Sequence, residues 1–169
     1  MSKLITCLWF VTNKGEEAAN YYIDTFKSAP GNHQATLGDI TKTPKASEEI
    51  SGRPAGSVLT VECELDGTSF MFLNGGPLDQ FKLTGATSFI VECETQEEID
   101  FFWEKLSAVP EAEQCGWCTD KFGITWQIVP RILDELMRES PEKSEAVTAA
   151  FMPMKKIDLE AIRKAGESS

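Results

Sequence analysis

QCGWCTDKFGITWQIVP, residues 114–130, is the stretch from which the fold is read. Residues 124–129 alternate in polarity and are rich in β-branched and aromatic side chains, so they read as a strand that Pro130 stops. The DKFG run at 120–123 reads as a turn, because glycine takes the positive φ that closes such a bend without a Cβ clash. Residues 113–118 read as the paired strand of the hairpin. Strand alternation then puts Ile124, Trp126 and Ile128 on one face and Thr125, Gln127 and Val129 on the other. Gln127 is a lone amide on a half-buried strand, and such a group requires a hydrogen-bonding partner or a polar cavity.

Working upstream, residues 86–93 read as a strand. Thr95 is a good N-cap with Glu98 three residues on, and residues 96–106 carry a helical apolar stripe. The same order occurs in the first half of the chain. Residues 4–11 are a compact apolar run, and residues 16–28 carry Ala18, Ala19, Tyr22, Ile23 and Phe26 at helical spacing with acids in the first turn. Short strands are expected at 33–38, 57–65 and 68–73, the last two joined by Asp66-Gly67, a strong hairpin signal. Residues 39–56 are polar and hold two prolines, so a long exposed loop is expected there. Shifting the chain by 80 residues aligns apolar positions over the whole strand-helix unit. A duplicated β-α-β-β unit explains that match better than chance, because the order of elements constrains topology. Beyond Pro130, apolar stripes at helical spacing, a Ser140-Pro141 helix start and a capping Asp158 describe a helical extension. The stripes leave open whether it packs on its own sheet or on a second subunit.

Composition sets the remaining bounds. A net charge of −11 argues against a phosphate-backbone partner, since nucleic-acid affinity comes from Lys and Arg that neutralise phosphates. No apolar stretch approaches the ~18 residues that suggest a membrane helix, and the N-terminus lacks the apolar core of a signal peptide. Five cysteines, an odd number scattered along expected strands, fit reduced thiols better than a disulfide framework. The reading is a soluble, cytoplasmic protein. Cys115 and Cys118 form a C-x-x-C pair, but on an expected strand rather than at a helix start, and without the second pair a zinc site would need.

FVTNKGEEAANYYIDTF (10–26), LNGGP (73–77), QCGW (114–117), DKFGITWQIVP (120–130) and MKKID (154–158) together resemble the PhnB-like family of the vicinal oxygen chelate (glyoxalase/bleomycin-resistance) superfamily. That family is also labelled 3-demethylubiquinone-9 3-methyltransferase-like. The likeness runs from about residue 3 to 165. It implies an α+β fold of paired βαβββ modules forming a cup-shaped sheet, here residues 1–82 and 83–130, with residues 131–169 as a C-terminal helical extension, usually in a homodimer. It also implies a small-molecule site in the cup. The superfamily's metal enzymes place His or Glu at four strand positions, which fall within residues 5–7, 72–74 and 86–88 and on Gln127. None of these windows holds His, Asp or Glu, so no metal cofactor is expected. The ligand contacts are then expected from Cys7, Trp9, Phe72, Asn74, Ser88, Trp117 and Gln127. The favoured function is binding of a small molecule without the usual divalent ion. The alternatives are an enzyme of lyase, dioxygenase or transferase type using an unusual metal site or a Cys nucleophile, and a structural or partner-binding dimer built on the tail. No glycine-rich strand-turn-helix loop supports the methyltransferase label.

Overall fold

The computed structural model describes residues 4–167. The chain divides into two compact units, Met1–Leu83 and Thr84–Ser169. In the first, β1 (Thr6–Trp9), α1 (Gly15–Ser28), β2 (Ala35–Lys42), a short α2 (Glu48–Ser51), β3 (Val58–Leu65) and β4 (Thr68–Leu73) build a sheet of order β1-β4-β3-β2. The first strand lies parallel to β4, and the other neighbours are antiparallel. Asp66, in the left-handed region at φ 45°, makes the expected tight link from Leu65 to Thr68. Leu8, Val61, Cys63, Phe70 and Phe72 are buried together with Ala18, Ala19, Tyr22 and Phe26 of α1. This burial follows from matching the 3.6-residue stripe of a helix to the two-residue period of a sheet.

The second unit follows the same local order. β5 (Ser88–Cys93), α3 (Gln96–Leu106), β6 (Trp117–Thr119) and β7 (Thr125–Pro130) give a three-stranded sheet β5-β7-β6, with its first strand parallel to its last. Thr95 and Glu98 form a reciprocal capping box, which fixes where α3 starts. Ile99, Phe102 and Leu106 of α3 and Val91, Cys93, Cys118, Trp126 and Ile128 of the sheet are all buried. α4 (Ile132–Glu139), α5 (Pro141–Phe151) and α6 (Leu159–Glu167) complete the unit. Ser140 accepts from the Lys143 amide and Asp158 from the Ala161 amide, the helix starts expected for those residues.

Two expectations are corrected. The polar stretch is not loop from residue 39, because β2 continues to Lys42 and α2 forms within it. The strand expected at 113–118 shrinks to Trp117–Thr119. Cys115 (φ 41°) and Gly116 (φ 88°) turn left-handed there, and their amides donate to Met154 O and Lys155 O at 2.6 and 2.8 Å. The tail thus takes the hydrogen bonds that a longer strand would have offered to a neighbour.

The extension has a core of its own. Val147, Ile157 and Ile162 are fully buried and packed by Leu133, Leu136, Phe151 and Met154 of the same C-terminal segment. The buried part of the tail packs in cis, on itself and on its own unit, while Met137 and Met152 stay exposed.

Candidate functional site

Register decides which side chains share the sheet face away from the helix. In the second unit Ser88 pairs with Thr125, Ile90 with Gln127, and Trp117 with Gln127. Ser88, Ile90, Trp117 and Gln127 therefore lie on the face opposite Trp126 and Ile128. Gln127 donates from Nε2 to Ser88 Oγ at 2.9 Å, which supplies the partner that its position demanded. Beside this pair Ile90 is 59% exposed. This face thus presents a hydrogen-bonded polar pair beside an exposed apolar side chain.

In the first unit Cys7 pairs with Met71 and Trp9 with Leu73. Cys7 and Trp9 therefore occupy the face away from α1. The Trp9 indole is pinned there, donating from Nε1 to Gly76 O at 3.0 Å and stacking on Phe81 with ring centroids 4.4 Å apart. A Cβ on Gly75 would stand 2.1 Å from the indole, so only glycine lets the chain pass over this ring.

Phe72 and Asn74 belong elsewhere. Phe72 pairs with Leu8 and is 1% exposed, with its ring edge-on to Phe10 and Tyr22 under α1. Asn74 is buried, accepts from the Gly15 amide at 2.8 Å and donates to Val58 O at 3.1 Å. Its amide ties the start of α1 to the start of β3, so neither residue is presented on the face that carries Cys7.

Two residues that sequence reasoning passed over hold this framework. Asp120, 2% exposed, accepts from the Phe122 and Ile124 amides at 2.8 and 3.0 Å and from Trp126 Nε1 at 2.8 Å. It fixes both the 120–123 turn and the buried indole. The signal was available, because a tryptophan expected in the core needs an acceptor and the nearest carboxylate stood six residues before it. Arg53, 8% exposed, reaches from the α2 loop to Asn13 Oδ1 and Val58 O.

The donor set at the superfamily's four metal positions does not fit a divalent ion. The Asn74 amide is engaged on backbone groups, Gln127 and Ser88 bond each other, and burial pushes the Cys7 thiol above its ordinary pKa. Neutral amide, hydroxyl and protonated thiol groups are poor ligands for ions that select imidazole and carboxylate. Among the described residues no three His, Cys, Asp or Glu side chains are placed to hold a metal ion together. The remaining thiols are no better activated. Burial pushes Cys63, Cys93 and Cys118 up to about 12 and raises Cys115, the opposite of what a nucleophilic or redox-active cysteine needs.

A βαββ(β) unit in each half, each with an uncovered sheet face, defines a PhnB/glyoxalase-like α+β protein. Comparison gives the family. The sequence profile of 3-demethylubiquinone-9 3-methyltransferase matches residues 2–129, and the chain belongs to that PhnB-type family. A solved structure described as a putative 3-demethylubiquinone-9 3-methyltransferase, PhnB protein, from Bacillus cereus is 29% identical. It covers 76% of this chain and 99% of its own, with a TM-score of 0.57. A protein from Pseudomonas aeruginosa, 15% identical, covers 77% of this chain and 98% of its own with a TM-score of 0.52, a likeness of fold alone. No curated protein matches the chain significantly. Among the described residues no helix is long and apolar enough to cross a membrane.

Proposed function

We propose that this chain binds a small molecule without a metal, as a cytoplasmic homodimer of the PhnB-like kind, and that Ser88 and Gln127 orient the ligand. The observation that carries this reading is the Gln127–Ser88 hydrogen bond on an open sheet face, flanked by exposed Ile90 and half-buried Trp117. With one Nε2 proton given to Ser88, Gln127 keeps a second N–H and its carbonyl, and Ser88 keeps its hydroxyl proton. That set suits a ligand with adjacent donor and acceptor groups on a planar or apolar body, such as a small aromatic amide or hydroxy acid. Within the first unit taken by itself, Cys7 and Trp9 would offer that unit's own sheet face to a ligand, and Phe72 and Asn74 would support it from behind.

The enzyme alternatives draw nothing from the thiols, all of which are raised by burial. Nor does the family label bring a cofactor loop with it. The β1–α1 link, residues 10–14, has no glycine-rich turn, and Gly75-Gly76 leads into a single 3-10 turn at Asp79–Phe81 instead of a long helix.

Titration of the isotope-labelled protein with benzamide and salicylate tests the assignment. The Gln127 side-chain amide and the Trp117 indole resonances are expected to shift together. Gln127→Ala is expected to weaken binding about tenfold, the scale of one or two lost hydrogen bonds, with little change in stability. If Gln127→Ala leaves both affinity and stability as they were, the polar centre has been misplaced.

A further inference from the structure

The loop over residues 43–57 in the first unit is closed at its neck. The Thr43 amide donates to Ser57 O at 2.8 Å, the Gly56 amide to Thr43 O at 2.9 Å, and the two side-chain hydroxyls lie 3.0 Å apart. From inside this loop Arg53 turns inward and is 8% exposed. A buried guanidinium normally meets a carboxylate, since a desolvated cation is costly unless paired. This one does not. Its acceptors are the side-chain oxygen of Asn13 and the Val58 carbonyl at 2.7 Å, both neutral, and its Nε–H is buried with no hydrogen-bond partner. Among the described residues no carboxylate lies within ion-pair distance of it, in a chain with 27 acidic residues.

Neither of its acceptors brings a compensating charge. Asn13, its side-chain partner, sits in the left-handed region at φ 58° two residues before α1. Val58 O is shared with Asn74 Nδ2, so its lone pairs are committed. A planar fork with an unused Nε–H and uncompensated charge is the group that receives a small oxyanion in a bidentate fashion. We propose that Arg53 is the receptor for a small oxyanion, a carboxylate or phosphate group, taken up by its unused Nε–H. The site lies wholly within the first unit and is independent of the Ser88–Gln127 reading. The acidic surface favours a small anion of low charge over a polyanion, because a long negatively charged ligand would meet the protein's own field.

The test uses the full chain with sodium phosphate and sodium acetate against sodium chloride at matched ionic strength. In the wild type, phosphate or acetate is expected to raise the melting temperature progressively with the logarithm of its concentration, as ligand linkage requires. The same anion is expected to shift the Arg53 Nε–Hε resonance, and whichever anion does so names the group. Arg53→Lys keeps the charge but lacks the Nε–H fork, and should lose the specific increment. Equal melting temperatures in all three salts with an unmoved Arg53 resonance would overturn the proposal, as would an undiminished increment in Arg53→Lys. Should that variant fail to fold, the wild-type resonance decides alone.

Discussion

Asp120→Ala is expected to destabilise the second unit by about 4 kcal/mol, the sum of two or three charge-assisted hydrogen bonds at ~1.5–3 kcal/mol each, less some relaxation. The cost is this large because the buried Ile124 amide and Trp126 Nε1 both lose their acceptor. Asp120→Asn is a sharper probe. Its retained oxygen can still serve the Phe122 and Ile124 amides, both of which bond Oδ1, while its new NH2 faces the Trp126 N–H, donor against donor. Asn should therefore cost roughly half as much as Ala and act mainly on the tryptophan. Urea unfolding followed by fluorescence and near-ultraviolet circular dichroism reads both effects. A loss under ~1 kcal/mol in Asp120→Ala would mean that the turn and the indole are held by packing alone.

Removing residues 131–169 is expected to unfold the second unit rather than to free a docking surface. What remains of that unit is shorter than the ~55–65 residues at which small domains become marginal. It would also lose the Met154 and Lys155 carbonyls that hold Cys115 and Gly116, and the bonds of Gln96 to Ile157 O at 3.2 Å and from the Leu159 amide at 2.8 Å. Circular dichroism and light scattering of the truncated chain should show lost structure and aggregation. A monodisperse, folded truncate that merely changes its oligomeric state would instead give the tail a partner-binding role. Acid should loosen the same seam. Hydrogen bonds to Lys156 and Gln96 lower the Asp100 pKa, and those to Ser107 and Lys155 lower that of Glu113. A carboxylate with a depressed folded-state pKa contributes stability above its unfolded value of about 4, and that contribution is lost as pH falls through the lowered value.

What could be read from the sequence was local. Thr95 with Glu98, Asp66-Gly67, Ser140-Pro141 and Asp158 each act within four residues, and each structural feature follows from the chemistry of those few side chains. The Ser88–Gln127 face was legible because strand alternation in 124–129 was regular and the two strands pair without a bulge. The misses were non-local. β6 is cut short by carbonyls some forty residues later in the chain, which no pattern around Cys115 announces. Phe72 and Asn74 were carried over from a family position, yet the register Cys7 with Met71 puts Met71 and Leu73, one residue out of step, on the face of Cys7. A one-residue offset is enough to send a strand residue to the opposite face. Asp120 read as an ordinary turn former, because its three bonds form only once the hairpin closes on Trp126.

The claim beneath the whole account is that this PhnB-type protein binds its ligand through neutral amide, hydroxyl and thiol groups at the positions where the superfamily it resembles was expected to place metal-binding His or Glu. Elemental analysis of untagged protein, purified without chelator from zinc-, manganese- and nickel-supplemented cells, addresses it directly. The account predicts divalent metal well below one equivalent per chain, unchanged in Gln127→Ala. One tightly held equivalent in the wild type, absent from Gln127→Ala, would contradict it.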